Sequence, residues 1–357
     1  MRQAGFSRIA VVVQSLALAG MIAGFAVSRA ATSRSRSSHK SGTGASDTRR
    51  AQELKVTIKE WAVPTKGAHP HDPAVGADGA LWFTEQMANK IGRLDPKTGE
   101  FKEYPLKVTN SGPHGLVSDR EGNIWFTANF AGYVGKLDRK TGEVKEYKMP
   151  VEKADDPHSL IFDANETLWF TLQGANMVGR LDPRSGKVEL KDVPTENALP
   201  YGIQMSSKGV PFFCELGTYK IGSIDPKTMA IRDYDLPKEV RPRRLAIDER
   251  DRVYFSDFKS GHLGRLDPKT GEVKLWDSPG GAESNPYGIT ITPDGMVWYS
   301  ESGVKPNTMV RFDPKTETFA KADIPSGGGV VRNMAATKDG RVYIACSGVD
   351  KVGVVQP

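Results

Sequence analysis

The sequence predicts an all-β fold, a single propeller of seven four-stranded blades, and three observations predict it. A unit of about 43 residues recurs from residue 55 to the C-terminus. Each copy holds four short runs of β-prone residues, separated by Asp-Gly-type and Pro-Lys-Thr-Gly turns that supply the backbone angles hairpins need. No stretch after residue 54 shows sustained helical periodicity with caps, which excludes an α-solenoid or a βα-repeat.

The unit is legible in its second copy. It runs Gly112-Pro113-His114-Gly115-Leu116, a turn from Asp119 to Gly122, Asn123-Ile124-Trp125-Phe126-Thr127, Tyr133-Val134-Gly135-Lys136-Leu137-Asp138, and Glu143-Val144-Lys145-Glu146-Tyr147. The aromatic after the first turn is Trp82, Trp125, Trp169, Phe212, Tyr254, Trp298 and Tyr343, which counts seven units. Four antiparallel strands per unit make one blade. The first segment, Val56 to Pro64, resembles the outer strand Phe101-Lys102-Glu103-Tyr104-Pro105, whereas the last unit stops at Val355 after three strands. The N-terminal strand therefore completes the last blade, and no closing edge is left exposed.

Residues 1–30 read as an export segment: Arg2 and Arg8, then an apolar run from Ile9 to Val27, then Ser28-Arg29-Ala30. The run is either a cleaved signal peptide or an uncleaved membrane anchor, since its length reaches spanning range. Both place the body outside the cytoplasm, periplasmic or secreted. Residues 31–53 are rich in Ser, Thr, Arg and Gly, too polar to bury a core, and are expected to be a flexible basic linker. Residues 54–357 form the propeller. Composition agrees with this, since 37 Gly and 23 Pro with 38% hydrophobic residues suit a turn-rich β protein.

The formal charge of +6 comes entirely from residues 1–53, where eight basic side chains face only Asp47 and Glu53. The propeller is neutral overall and offers no field to draw in a polyanion, which excludes nucleic acid as a partner. Membrane contact is expected only through an uncleaved N-terminal segment, and the chain is expected to be a monomer. The two cysteines, Cys214 and Cys346, fall three blades apart and are expected to be free, buried thiols.

In a propeller the first strand of each blade lines the channel. The Asp78-Gly79 turn sets residue 71 opposite residue 85, so both belong to one mouth. Carried round the ring, the first position holds His71, His114, His158, Tyr201, Arg243, Tyr287 and Arg332, none of them aliphatic. The second holds Glu85, Ala128, Leu172, Glu215, Asp257, Glu301 and Cys346. Trp82 and its equivalents are blade packing, and the repeated Asp-Pro-Lys-Thr-Gly is turn chemistry. The polar ring either satisfies itself around a solvated channel or offers bases, acids and cation ligands at one mouth. On the second reading His114 and His158 are the candidate catalytic pair. His71, Tyr201, Arg243, Tyr287, Glu301 and Arg332 are the candidate ligand contacts. Asp156, Glu85 and Glu215 are the candidate metal ligands, with His69-Pro70-His71 and Asp156-Pro157-His158 adding a polar atom two residues ahead of the ring.

The repeated Pro-His-Gly and Pro-Tyr-Gly, Leu81-Trp82-Phe83-Thr84-Glu85, Asn89-Lys90-Ile91-Gly92-Arg93-Leu94 and Lys102-Glu103-Tyr104-Pro105 resemble the virginiamycin B lyase (streptogramin lyase) family over residues 55–357. The resemblance implies a seven-bladed monomer and Mg2+-dependent elimination that opens a cyclic depsipeptide at its ester bond without adding water. In that chemistry a cation and polar donors stabilise charge at the ester carbonyl while a histidine removes the alpha proton. The resemblance also places the working residues on the last two blades, where this sequence has Tyr287, Val330, Arg332 and Cys346. A rotated set is present in His114 and Asp156-Pro157-His158, with Leu172 at the carboxylate position and Glu85 or Glu215 to substitute.

Three functions are therefore open from the sequence. One is a metal-assisted carbon-oxygen lyase, or an ester hydrolase, acting on a cyclic ester, with His158 as base, His114 as its partner and Asp156 and Glu85 holding the ion. The other is a binding propeller that takes a small molecule or cyclic peptide, with Arg243, Arg244 and Arg332 attracting an anionic group. A propeller that docks a protein on its faces is a third.

Overall fold

The computed structural model describes residues 51–357. The predicted export segment and nearly all of the predicted linker lie outside the described residues. Each repeat folds into one antiparallel sheet, from Pro70–Val75, Leu81–Glu85, Lys90–Leu94 and Phe101–Pro105 in the first blade to Val331–Ala336, Val342–Cys346 and Lys351–Gln356 in the seventh. The ring closes as the sequence predicts: Thr57–Ala62 pairs antiparallel with Lys351–Gln356 over six residues, from Thr57 opposite Gln356 to Ala62 opposite Lys351.

One element departs from expectation. Gln52–Glu53, assigned to the flexible linker, forms a short parallel pairing with Ala320 and Lys321 on the outer strand of the sixth blade. Leu54 follows it and is buried in the core there, and that apolar anchor is what ends the linker before residue 53.

The core is not central but lies between neighbouring blades. Trp82, Ile91 and Tyr104 of the first blade pack on Leu116, Ile124 and Phe126 of the second, and Tyr343, Ala345 and Val352 of the seventh pack on Leu81, Phe83 and Leu94 of the first. The glycine in Ile91-Gly92-Arg93-Leu94 follows from this packing, because a Cβ on Gly92 would sit 2.2 Å from the ring of Phe83. Cys214 and Cys346 are free and fully buried.

Candidate functional site

The axial residues stand second in each inner strand, and three local features aim them. The residue two places earlier is left-handed in five blades, with φ of 54° at His69, 56° at Gly112, 49° at Leu199, 46° at Asn285 and 98° at Val330. The chain thus turns sharply into the strand. Each inner pairing then slips just after its first residue, between Pro70 and Pro73 in the first blade and at the equivalent place in the others. A bulge of this kind lifts a side chain out of the normal alternation. A hydroxyl on the second strand locks the result: Thr84 Oγ1 accepts the Asp72 N–H at 3.0 Å and donates to the His114 carbonyl of the next blade at 2.8 Å. Thr127 ties Gly115 to His158, and Thr171 ties Ser159 to Tyr201, in the same way.

The predicted ring comes together. Ring centroids are 3.8 Å apart for His71 and His114, 3.8 Å for His114 and His158, 4.0 Å for His158 and Tyr201, and 6.4 Å for Tyr201 and Tyr287. The guanidinium of Arg243 lies 3.9 Å from the centre of Tyr287, 4.1 Å from Phe258 and 5.1 Å from Tyr201. Arg332 stands 6.0 Å from Tyr287 and donates from Nε to Ser347 Oγ at 3.1 Å. Tyr201 and Tyr287 share a short hydroxyl–hydroxyl hydrogen bond.

Burial and charge set the protonation states. His71, His114 and His158 are 2%, 4% and 2% exposed. Burial holds all three well below the ordinary imidazole value, and Arg332 and Arg244 push His71 further down, so the imidazoles are neutral at pH 7. Burial raises Tyr287 to about 12. Burial would also raise Tyr201, but Arg243 and Arg244 draw it below the usual phenol value. Among the described residues neither Arg243 nor Arg332 is paired with a carboxylate, and both are half-buried.

Sequence reasoning missed the layer beneath. Asp72 Oδ1 accepts from Arg244 across the channel at 2.8 Å and from His71 Nδ1 at 2.9 Å, and its Oδ2 accepts from Asn333 at 2.9 Å. Arg244 also donates to Ser159 Oγ at 3.1 Å, which stands 3.1 Å from His158 Nδ1. One guanidinium thus fixes two axial histidines through the residue that follows each. The signal was present one place after the ring, where Asp72, Gly115, Ser159, Gly202, Arg244, Gly288 and Asn333 alternate polar with glycine. Below this layer the channel opens into a cavity of about 360 Å³ walled by the inner strands.

The predicted carboxylates do not join the ring. Glu85, Glu215 and Glu301 end the second strand, one strand removed from the axis, and Asp156 stands just ahead of the third blade's inner strand. Glu85 lies against Lys90 and Glu103, both of its oxygens buried without a hydrogen-bond partner, and burial raises it to about 8. Glu215 lies against Lys220 and Asp233, accepts from Thr218 at 2.9 Å, and is raised by burial to about 7. Lys90 bridges Glu103 and Thr65 as Lys220 bridges Asp233 and Thr195, so the pattern is a repeated inter-strand tie. Glu301 is taken up by Ser278 at 2.6 Å, Gly280 N–H and Thr308. Asp156 accepts the N–H groups of Gly174 and Ala175 and closes a hairpin. Asp156, Glu85 and Glu215 therefore sit in separate blades with separate partners. They form no common oxygen cage of the kind Mg2+ requires.

The comparisons agree on the architecture. The family model described as Virginiamycin B lyase family matches residues 47–301. A streptogramin B lyase structure is 26% identical, with a TM-score of 0.77 over 84% of this chain and 97% of that one. Virginiamycin B lyase from Staphylococcus aureus is 23% identical, with a TM-score of 0.78 over 85% of this chain and 100% of that one. A catalytically inactive histidine-to-alanine variant of that enzyme, with quinupristin, is 22% identical over the same shares, with a TM-score of 0.78.

Proposed function

Because this chain belongs to the virginiamycin B lyase family, we propose that it works at the axial mouth of its propeller, as an extracytoplasmic protein that binds a small anionic molecule or a cyclic peptide carrying an anionic group. One observation carries this reading: Arg243 and Arg332 stand at the mouth without a carboxylate partner among the described residues, while the nearest axial carboxylate, Asp72, is taken by Arg244. Arg243 is stacked on Tyr287 and Phe258, so its planar fork is already oriented and little side-chain freedom remains to be lost on binding. An anion would meet a fixed, partly desolvated donor, the setting in which charge-assisted hydrogen bonds are strongest.

The elimination chemistry of the lyases finds less support. Where the resemblance calls for a base, a carboxylate and a cation ligand, this chain offers a phenol raised to about 12 at Tyr287, an alkyl group at Val330, a guanidinium at Arg332 and a thiol at Cys346 that burial pushes up. None of these removes an alpha proton at neutral pH. The test is titration calorimetry with a panel of carboxylates and phosphate monoesters, with mass spectrometry of the mixtures. The expected result is binding that Arg243→Ala weakens at least tenfold, with no new product. Equal affinity in that variant would remove the mouth from the account.

A second reading rests on the contact between His114 and His158, both neutral and thus in the form a general base needs. It predicts that quinupristin, or another cyclic ester, is opened by the wild type and not by His158→Ala. An intact ester after prolonged incubation with the wild type would set it aside.

A further inference from the structure

We propose that His71, Asp72 and His114 hold one first-row transition-metal ion, Zn2+ or a neighbour in that series, at the floor of the mouth. Each of the three offers a ligand atom, and these atoms lie within 4.8 Å of one another in a fully buried group. Two imidazoles and one carboxylate form a donor set suited to zinc, iron, cobalt or nickel rather than to magnesium.

Two observations point to an ion there. The first is His114 Nδ1, which is buried without any hydrogen-bond partner. Its neighbours differ: His71 Nδ1 is held by Asp72 and His158 Nδ1 by Ser159, whereas the residue after His114 is Gly115, which has nothing to offer. A buried imidazole nitrogen left open in this way calls for a partner. The second is that His71 Nδ1 and Asp72 Oδ1 already meet in the hydrogen bond described above, so that an ion can take the place of the proton between them. An ion taking this place coordinates Nδ1 of the neutral imidazole, whose single ring proton then sits on Nε2.

The surroundings fit the role. Asp72 is oriented from behind by Arg244 and Asn333, an outer layer of the kind that fixes metal ligands. Asp72 also lines the lower cavity of about 360 Å³. The ion would stand near Arg244 and Arg332, so its remaining coordination positions favour an anionic ligand over a neutral one.

The experiment uses the purified full chain, stripped with EDTA and titrated with Co2+. One equivalent is expected, giving visible ligand-field absorption that Zn2+ abolishes and Mg2+ leaves unchanged. His71→Ala and His114→Ala should each weaken uptake at least tenfold, while Arg243→Ala retains it, which separates this site from the anion reading. Circular dichroism reports whether each variant folds. Should either fail to fold, wild-type crystals soaked in Zn2+ decide the matter, with an anomalous peak expected about 2.1 Å from nitrogens of His71 and His114. No Co2+ uptake by the wild type, uptake unchanged in folded variants, or a peak elsewhere would overturn the proposal.

Discussion

Replacing Glu85 with glutamine should make the stability of this propeller less dependent on pH, and the size of the effect follows from where the carboxyl sits. Glu85 has no exposed surface, and both its oxygens lack hydrogen-bond partners. Burial, reinforced by Glu103 and partly offset by Lys90, raises it from 4.5 to about 8. Between those two values the folded chain holds a proton that the unfolded chain has released. Stability therefore falls as pH rises through that window, by about 1.4 kcal/mol for every pH unit crossed. Between pH 5 and pH 8 this amounts to about 3.5 kcal/mol, an upper figure because the neighbouring Lys90 can move to meet the charge. Glutamine fills the same space and carries no titrating proton. Urea unfolding at pH 5, 6.5 and 8 should show Glu85→Gln close to wild type at the lowest pH and increasingly more stable above it. A difference that stays constant across the three would refute the assignment of a buried, protonated Glu85.

A chain beginning at residue 66 lacks the strand that seals the ring and loses the buried side chains of Leu54 and Val63. Those two alone represent about 3–6 kcal/mol, so this chain should melt well below the full propeller, and a melting temperature equal to it would refute the closure. Arg244→Met leaves Asp72 a buried, unpaired charge and should cost about 3–5 kcal/mol. Adding Asp72→Asn should recover much of that loss, and a double variant as unstable as the single one would show that the cross-channel pair is not what Arg244 stabilises.

The fold was legible because it is written seven times. Period, turn residues and the aromatic marker repeat in register, and the unmatched first and last segments reveal the closure. The axial ring was legible for a related reason, since strand one is the only strand with a free edge on the channel, and a polar residue at that position in every copy stands out. The acids were misplaced because pairing register tells which residues lie opposite one another, not which way they face. Glu85 and Glu215 share the mouth's level with His71, but they sit on the strand behind and turn outward. Asp72 and its partnership with Arg244 escaped because they join the first and fifth blades, a contact across the axis that no repeat alignment expresses. The end of the linker escaped because a two-residue parallel pairing carries no periodicity, although the buried Leu54 beside it marks the spot.

The axial mouth holds two guanidiniums, Arg243 and Arg332, that no carboxylate pairs among the described residues. The most direct measurement is a crystal grown with selenate and collected at the selenium edge. An anomalous peak held by Arg243, Arg332 or both over the face of Tyr287 is the expected result. Occupied sites confined to surface lysines, with the mouth empty at full selenate concentration, would contradict it.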